Sequence, residues 1–366
     1  MEKRILILTA GFGEGHNSAA RGMRDGLATV SNGTAVVEMH DIFAESYGVA
    51  NEWARLGYLA VINRAPHTWG RFYQWLDRQE EYTPRMRWFF TAKGKLSQLL
   101  VRFQPTAVVS VYPAYPYLLE SILNGAPAAF QRVVCITDSI TVNAIWYRCV
   151  SDLFLVPNEQ TAALLAGAEL PNEKMRVTGF PVTPKFAELG TRRQPPAPGG
   201  ERKILYMINA GGRAAPEIIR GLAQLPHVRL TVTVGRDERL RRTVEAVNAE
   251  LQQKFEIVGW SDQLPRHMLE HHLLISKAGG ATVQEAIAAK CPMIISQIVP
   301  GQEEGNAQLI ESTRSGMVAS TPAAIIAAAQ QVFAENDRLW REWSENISRL
   351  SRPEAPLKIA ELLLDL

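Results

Sequence analysis

Short apolar runs recur along the chain and alternate with segments of helical periodicity. In the first half these runs are RILILTA, TAVVEMHDIF, TAVVSVY, RVVCITD and DLFLVPN, and in the second half they are KILYMINA, VRLTVTVGR, FEIVGW, LLISKA and PMIISQIV. Runs that are apolar at successive positions, rather than at alternate ones, are typical of strands buried on both faces of a parallel sheet. Because helical segments separate the runs, the pattern predicts doubly wound α/β domains with parallel sheets.

The two sets of strands are separated by a segment that resembles a linker. Residues 190–202, GTRRQPPAPGGER, are rich in proline, glycine and arginine. We therefore predict one Rossmann-like domain over residues 1–189 and a second over residues 203–335. The helical pattern continues through residues 336–366, and we expect these C-terminal helices to pack back on the N-terminal domain.

The composition indicates a soluble globular protein. Hydrophobic residues make up 46% of the chain and charged residues 21%, and a formal net charge of +2 argues against a nucleic-acid binder. The three cysteines, Cys135, Cys149 and Cys291, are too unevenly spaced to suggest a disulfide framework or a zinc site, so a cytoplasmic location is expected. No apolar run reaches the ~18–20 residues that cross a bilayer, and glycines interrupt the N-terminal run too early for a signal peptide. Any contact with a membrane is therefore expected to be peripheral, on its cytoplasmic face.

A glycine-rich loop follows the first predicted strand. Residues 9–23, TAGFGEGHNSAARGM, match neither the glycine spacing of a dinucleotide-binding fingerprint nor the Gly-Lys-Ser/Thr ending of a P-loop. Glycines such as Gly15 still let backbone amides approach a ligand, and a helix beginning near Asn17 or Ser18 would offer its positive end to an oxyanion. His16 lies at the mouth of this turn, where open α/β sheets bind ligands. The alternative is a tight turn that only packs.

A second glycine turn lies in the C-terminal half, within SKAGGATVQEAIAAKCPMIISQIVPGQEEGNAQ. Gly279 and Gly280 follow a predicted strand. Thr282 is placed to cap the next helix, and Glu285 lies one turn into it. Glycines before a helix start suit a diphosphate, and a carboxylate one turn later suits the paired hydroxyls of a ribose. The alternative is an ordinary strand–helix–strand unit with a polar loop.

In this order the motifs resemble a family of lipid glycosyltransferases. The matching segments are GEGHNSAA, PTAVVSVYPAYP, VVCITDSITVNAIW and MRVTGFPVTPKF in the first half, and the Gly-Gly and Pro-Gly-Gln-Glu-Glu segments in the second. They are similar to plant monogalactosyldiacylglycerol synthases, to bacterial processive diacylglycerol glucosyltransferases and, more distantly, to the N-acetylglucosaminyltransferase that forms lipid II. The resemblance covers nearly the whole chain. It implies the GT-B fold, in which two Rossmann-like domains face each other across a cleft.

The resemblance implies that the C-terminal domain binds a UDP-sugar donor. The implied contacts are Gly211, Gly212 and Arg213 beside the phosphates, Gly259 and Trp260 near the base, Gly279, Gly280 and Thr282 at the diphosphate, Glu285 at the ribose, and Gln302 with Glu303 at the hexose. Gly15, in the N-terminal loop, would let acceptor and donor phosphates come close. Arg213 can equally be an ordinary surface arginine.

The resemblance also implies an inverting transfer with His16 as the base. The acceptor hydroxyl would attack the anomeric carbon while UDP leaves, which requires a base at the hydroxyl and positive potential at the diphosphate. No metal or other cofactor is expected, since helix-end amides can stabilise UDP and the sequence has no Asp-x-Asp motif. Asp138 would either orient His16 or cap the helix that follows.

Other histidines carry less information. Many relatives have one histidine after the step that corresponds to Thr137-Asp138 and another just beyond the tryptophan that corresponds to Trp146, and this chain has neither. The relatives also have a His-Pro step where this chain has Tyr112-Pro113. The contacts with the acceptor are therefore expected to differ. His267, His271 and His272 have helical spacing but lack the His-Glu start of a zincin motif, which favours a solvated helix face.

An aromatic and basic segment in the N-terminal half suggests a surface for lipid. Residues 53–103 contain Trp53, Trp69, Trp75 and Trp88, and residues 64–102 contain eight basic and three acidic side chains. Aromatic rings with basic side chains suit an anionic headgroup layer. The alternatives are a packed pair of core helices, or helices that are partly packed and partly membrane-facing.

The expected protein is a UDP-sugar-dependent hexosyltransferase that moves glucose or galactose to diacylglycerol or a related lipid on an anionic membrane surface. One rival is a soluble transferase or an epimerase-like enzyme on the same fold. Another is a UDP-sugar-binding protein without catalytic activity.

Overall fold

The computed structural model describes residues 2–64, 66–79, 81–86, 88–190, 194–208, 212–301 and 303–366. They form two compact units. Unit 1 comprises Met1–Pro184, Val299–Gly305 and Glu354–Leu366, and unit 2 comprises Lys185–Ile298 and Asn306–Pro353. The limits predicted from the sequence, 1–189 and 203–335, are continuous stretches of chain, whereas each unit is assembled from separate segments.

Unit 1 contains a parallel sheet of six strands. These are β1 (Lys3–Leu8), β2 (Ala35–His40), β3 (Ala107–Ser110), β4 (Gln131–Cys135), β5 (Leu153–Val156) and β6 (Met175–Val177). Their order is β2-β1-β3-β4-β5-β6, and Leu8 lies beside His40 on one side and Ser110 on the other. The strand order therefore changes direction between β1 and β3. At such a switch point the loops leave the two strands in opposite directions and a ligand crevice opens at the carboxyl ends.

Unit 2 also contains a parallel sheet of six strands. These are β7 (Arg202–Met207), β8 (Val228–Gly235), β9 (Glu256–Gly259), β10 (Leu273–Lys277), β11 (Met293–Gln297) and β12 (Gly316–Val318). Their order, β12-β11-β10-β7-β8-β9, places the switch point between β7 and β10. The prediction of α/β domains with parallel sheets is confirmed.

Helices separate the strands throughout. Unit 1 has α1 (Glu14–Ser31), α2 (Ile42–Tyr47), α3 (Val49–Arg64), α4 (Pro66–Asp77), α5 (Thr83–Met86), α6 (Phe90–Phe103), α7 (Tyr115–Leu123) and α8 (Glu159–Gly167). The next helices are α9 (Lys185–Leu189), α10 (Ala215–Ala223), α11 (Glu238–Glu250), α12 (Leu264–Glu270), α13 (Gly280–Ala288), α14 (Glu304–Ser312), α15 (Pro322–Val332), α16 (Ala334–Leu350) and α17 (Ala355–Asp365). Short 3-10 turns occupy Ala144–Trp146 and Asn172–Lys174.

The last two helices belong to different units. Helix α16 lies in unit 2, and α17 lies in unit 1 against α1. A Cβ atom on Gly26 would lie 2.4 Å from the Pro356 carbonyl oxygen, so only glycine allows α17 to approach α1 this closely. Within the described residues, no helix combines the length and the apolar character needed to cross a bilayer.

A buried ion pair fastens α16 to the sheet of unit 2. The guanidinium of Arg202, at the start of β7, donates to both carboxylate oxygens of Asp337 over 3.1 and 2.9 Å. The Asp337 side chain is only 2% exposed. Glu335, Asn336 and Asp337 all have positive φ angles, of 51°, 56° and 60°, so the chain makes a left-handed turn where the ion pair forms.

Candidate functional site

Helix α1 begins earlier than the sequence suggested. It starts at Glu14 and not near Asn17 or Ser18, because Gly13 enters the helix with φ 107°, a conformation open to glycine and to few other residues. Gly15 and His16 therefore lie in the first turn, whose backbone N–H groups have no partner within the helix. The Asn17 side chain instead accepts a hydrogen bond of 2.9 Å from the Thr9 hydroxyl.

Asp41 holds the glycine loop in place. It follows β2, and its two carboxylate oxygens accept hydrogen bonds of 2.8 Å each from the backbone N–H groups of Gly11 and Ala44. The first bond fixes the loop and the second caps α2. An aspartate before a helix is a recognisable cap signal, but its contact with Gly11 depends on the pairing of β1 with β2.

His16 is buried where three adjacent strands end. The side chain is 8% exposed, and its Nδ1 lies 3.1 Å from the Thr137 hydroxyl oxygen. Its ring meets the Tyr112 ring edge-on, with centroids 5.2 Å apart, and lies 5.8 Å from the Trp146 ring. His16 follows β1, Tyr112 follows β3 and Thr137 follows β4, so the switch point of unit 1 brings them together.

The surroundings of His16 keep its imidazole neutral. Burial lowers its pKa to about 4, and a hydrogen bond with the Val111 backbone opposes this shift only in part. At neutral pH one ring nitrogen therefore carries a lone pair. That is the state in which an imidazole accepts a proton.

Asp138 contacts His16 through an intermediate ring. Its Oδ2 accepts a hydrogen bond of 2.8 Å from Trp146 Nε1, and the buried Trp146 ring packs against His16. The cap of the 3-10 turn that follows comes from Asn143, whose Oδ1 accepts from the Ile145 N–H. The neighbours of His16 in this part of unit 1 include Thr137 and Trp146. The sequence alone predicted no role for either residue.

The segment Val299–Gly305 belongs to unit 1 and is closely packed there. A Cβ atom on Gly305 would lie 1.9 Å from the Ser139 carbonyl oxygen, and one on Gly70 would lie 3.5 Å from Pro300 Cβ. Glu303 is buried, and its Oε2 accepts a hydrogen bond of 3.0 Å from the Val299 N–H. Its carboxylate therefore shapes its own loop. Gln302 lies outside the described residues.

The Gly279–Gly280 turn sits at the switch point of unit 2. Gly279 is the residue before α13, and no side chain caps this helix. The expectation that Thr282 caps α13 is therefore wrong, because glycine occupies the cap position and Thr282 lies within the first turn. Asn306 supports the turn: its Nδ2 donates to the Ala278 carbonyl over 3.1 Å.

Glu285 and the other predicted donor residues occupy separate positions in unit 2. Glu285 is half-buried in α13. Gly212 precedes α10, Arg213 beside it is exposed, and Gly211 lies outside the described residues. Gly259 ends β9, and a Cβ atom there would lie 2.6 Å from the Arg241 guanidinium.

Two arginines lie beside Gly259 and Trp260, the residues predicted near the uracil. Trp260 is 66% exposed, and the Arg236 guanidinium lies 4.5 Å from the centre of its ring. Together with Arg241, which covers Gly259, this places positive charge beside the end of β9. Neither arginine was predicted from the sequence. The pairing of β8 with β9 brings Arg236 to the end of β9, and the packing of α11 brings Arg241 there.

The expected solvated face at His267, His271 and His272 is wrong. Helix α12 ends at Glu270, and the chain turns into β10, so His271 and His272 point into unit 2 and are 5% and 7% exposed. His271 Nε2 lies 2.9 Å from the Thr231 hydroxyl, and His272 Nδ1 accepts from the Lys203 N–H over 2.8 Å.

Because His16 and His271 are buried, we expect the protein to lose stability in acid. Burial lowers the pKa of both His16 and His271 to about 4, whereas an unfolded histidine titrates near 6.5. Between these values the unfolded chain binds more protons than the folded one, so the free energy of unfolding falls as the pH falls. We expect a loss of about 2–3 kcal/mol per histidine between pH 7 and pH 4.5. Urea unfolding at the two pH values measures it.

A His271→Gln variant tests the origin of that loss. It removes one titrating group, so the difference in stability between pH 7 and pH 4.5 should shrink relative to the unmodified protein. An unchanged difference would show that His271 does not contribute. His227, which is exposed, provides the matched control as His227→Asn.

The aromatic segment is partly packed and partly exposed among the described residues, so a pair of helices whose aromatic side chains all pack inward is not what the structure has. Trp69 is half-buried, whereas Trp53, Trp75, Trp88 and Phe90 are 72%, 49%, 80% and 70% exposed. The basic side chains are also divided. Lys93 donates to Ser121, while Lys95 and Arg102 pair with Glu45 and Glu38, so part of the positive charge in the sequence count is offset by neighbouring carboxylates.

Two family models match the chain. The model for monogalactosyldiacylglycerol (MGDG) synthase matches residues 16–182, and the model for the glycosyltransferase family 28 C-terminal domain matches residues 214–348. The first contains His16, Tyr112, Thr137 and Trp146. The second contains the Gly279–Gly280 turn.

Curated relatives match along the whole chain. The processive diacylglycerol beta-glucosyltransferase of Bacillus subtilis (strain 168) is 24% identical, with 99% of this chain and 95% of the relative covered. The protein of the same name from Staphylococcus epidermidis (strain ATCC 12228) is 25% identical, with 100% and 93% covered.

Solved structures share the fold. Acinetobacter baumannii MurG has a TM-score of 0.62 at 16% identity, with 100% of both chains covered. UDP-GlcNAc 2-epimerase from Neisseria meningitidis has a TM-score of 0.61 at 14% identity, with 99% of this chain and 100% of the epimerase covered. The spinosyn rhamnosyltransferase SpnG has a TM-score of 0.59 at 12% identity, with 98% of this chain and 100% of SpnG covered. With both halves of the chain matched in sequence and in fold, the protein belongs to the GT-B glycosyltransferases of the MGDG synthase and family 28 group, and it is distantly homologous over its full length to the processive diacylglycerol glucosyltransferases.

Proposed function

We propose that this enzyme transfers glucose or galactose from a UDP-sugar to diacylglycerol, with inversion at the anomeric carbon, on the cytoplasmic face of a membrane. The observation that carries the proposal is the buried, neutral His16 in the first turn of α1, at the switch point of unit 1. The full-length relatives are named diacylglycerol glucosyltransferases, which supports the choice of lipid.

In this proposal His16 is the general base. As the acceptor oxygen forms its bond to the anomeric carbon, the hydroxyl proton passes to a ring nitrogen of His16, and the bond between the anomeric carbon and the diphosphate oxygen breaks. The Nδ1 atom lies beside the Thr137 hydroxyl. Whichever ring nitrogen carries the proton of the neutral imidazole, the other nitrogen holds the lone pair that would accept the hydroxyl proton.

We assign the UDP moiety of the donor to unit 2. The first turn of α13, preceded by Gly279, offers free backbone N–H groups and the positive end of a helix dipole to the diphosphate. Arg236 and Arg241 add positive charge beside Gly259 and Trp260, near which the uracil is assigned. These groups would stabilise the negative charge that develops on UDP as it leaves.

The remaining donor contacts are assigned as follows. Glu285 accepts hydrogen bonds from the ribose hydroxyls, and Gln302 with Glu303 contacts the hexose. The hydrogen bond from the Val299 N–H holds the Glu303 carboxylate within its loop. Gly211, Gly212 and Arg213 are assigned beside the phosphates, and Asp138 acts on His16 through Trp146.

Replacement of Glu285 with alanine tests the ribose contact. A hydrogen bond to a charged group contributes about 1.5–3 kcal/mol, so UDP affinity should fall about tenfold to a hundredfold. Titration calorimetry with UDP measures the change. The matched control is Glu250→Ala, which removes an exposed carboxylate of the same unit that pairs with Arg220. Equal affinities in the two variants would contradict the assignment.

The proposed reaction is tested by offering UDP-glucose and UDP-galactose separately with vesicles that contain diacylglycerol. Mass spectrometry identifies any glycolipid, and nuclear magnetic resonance reads the configuration of the new glycosidic bond. A β-linked hexosyl-diacylglycerol supports the proposal. An α-linked product overturns the inverting mechanism.

Two other outcomes would replace the proposal. Conversion of a UDP-sugar without any lipid would indicate an epimerase-like enzyme or a transferase with a soluble acceptor. Binding of UDP-sugar with no product from any lipid would indicate a binding protein.

A further inference from the structure

A continuous series of aromatic rings leads from His16 to exposed side chains on α4. We call it the aromatic track, and it consists of Tyr112, Phe12, Tyr58, Trp69, Phe72 and Trp75. From the His16 ring outward, successive ring centroids are separated by 5.2, 6.2, 5.9, 4.9, 5.4 and 5.7 Å. The rings come from four segments of unit 1: the loop after β1, α3, α4 and the loop after β3.

The rings of the track differ from those of the core. Phe72 and Trp75, at its outer end, are 46% and 49% exposed, and the four inner rings are half-buried. By contrast, Phe103, Tyr115 and Trp146 in the core of the same unit are 1%, 0% and 1% exposed. Each residue of the track is therefore less buried than these core residues, from α4 to the neighbourhood of His16.

A lipid acceptor needs such a path. Its hydroxyl has to reach His16, and each acyl methylene that leaves the hydrocarbon layer for water costs about 0.8 kcal/mol. Contact with successive rings offsets that cost while leaving the hydroxyl free to react. The outer end also carries exposed cations, since Arg71 lies on α4 and Arg78 follows it directly. These suit the phosphates of an anionic headgroup layer.

We propose that the aromatic track is the acceptor-binding site, and that it holds the glycerol and the first methylenes of the acyl chains of diacylglycerol between α4 and His16. The inference rests on the proposed function. It assigns different tasks to apolar and aromatic residues of the same helix, α3. Exposed Val49, Trp53 and Leu56, which share one face of α3, contact the membrane surface, whereas Tyr58 on the same helix contacts the acceptor.

Tyr58→Ser interrupts the track at its middle. We expect the KM for diacylglycerol in mixed vesicles to rise about tenfold or more, with UDP affinity and vesicle sedimentation unchanged. Tyr58→Phe keeps the ring and should recover most of the loss. Phe130→Ser is the matched control, because it removes a half-buried ring of unit 1 that lies outside the track. Thermal unfolding of all three variants shows whether the fold is retained.

Two outcomes would overturn the inference. One is an unchanged KM in a folded Tyr58→Ser variant. The other is a loss of transfer that is matched by a loss of vesicle binding, which would make Tyr58 part of the membrane-contacting surface.

A crosslinking experiment tests the track without relying on transfer. Diacylglycerol with a diazirine near the glycerol end of its acyl chain is irradiated in vesicles with the full-length protein, and labelled peptides are identified by mass spectrometry. Label on the peptides of Phe12, Tyr58 or Trp69 supports the track, even if no sugar is transferred and the proposed function fails. Label confined to Trp53 and residues 88–90 would overturn it.

Discussion

Replacing His16 with alanine is expected to lower the turnover number by about two to four orders of magnitude, because the acceptor hydroxyl then has no base. The affinity for UDP should stay the same, since the UDP moiety of the donor is assigned to unit 2. Transfer from UDP-sugar to diacylglycerol in vesicles measures the first quantity, and titration calorimetry measures the second.

The control is the exposed His227, which is replaced with asparagine because it has a positive φ angle of 61°. That variant should turn over at the rate of the unmodified protein. Near-normal turnover in His16→Ala would exclude His16 as the base. An equal loss of UDP affinity and turnover would instead indicate that His16 contributes to binding.

Replacing Asp337 with alanine is expected to lower the free energy of unfolding by about 3–5 kcal/mol, because it leaves the Arg202 guanidinium buried without its partner. Both side chains are nearly inaccessible to water, at 10% and 2% exposure. Alanine also tolerates the left-handed conformation at this position less well than aspartate does. Urea unfolding measures the loss.

Three further variants separate charge from backbone. Asp337→Asn keeps a residue that tolerates positive φ and should lose less than alanine. The double variant Arg202→Met/Asp337→Leu removes both charges and should recover part of the stability, while the backbone cost of a positive φ at position 337 remains. Glu345→Ala breaks the exposed pair with Arg349 on the same helix and should cost no more than about 1 kcal/mol. A similar cost for Asp337→Ala and Glu345→Ala would contradict the assigned role of the buried pair.

The parallel sheets were predictable because their inner strands contain runs that are apolar at successive positions. Ile5 to Leu8 are completely buried, and the same is true of Leu273 to Ile275, so the sequence pattern and the burial coincide. The two strands that no run indicated, β6 and β12, are three-residue strands at the edges of their sheets. A strand this short has too few side chains to show a period.

The candidate site was predictable only where chemistry is local. His16 and the Gly279–Gly280 turn are visible because glycines and a helix start stand together in a few residues. Thr137, Trp146 and Asn306 had no assigned role, since their partners lie 121, 130 and 28 positions away in the chain. The helix start was misplaced because the conformation of Gly13 replaces the side-chain cap that sequence rules look for.

The order of residues was sufficient for the class of fold and the glycine turns, because each depends on neighbouring positions and on the periods of strand and helix, and His16 stays a predicted base that the family resemblance implies. Only the folded chain decided that His16 is neutral at pH 7, since its pKa depends on burial beside the Tyr112 and Trp146 rings, which follow two other strands. In the same way, only the folded chain decided which aromatic residues form the track and which face solvent. Protonation and accessibility are properties of the surroundings, and residues far apart in sequence supply those surroundings.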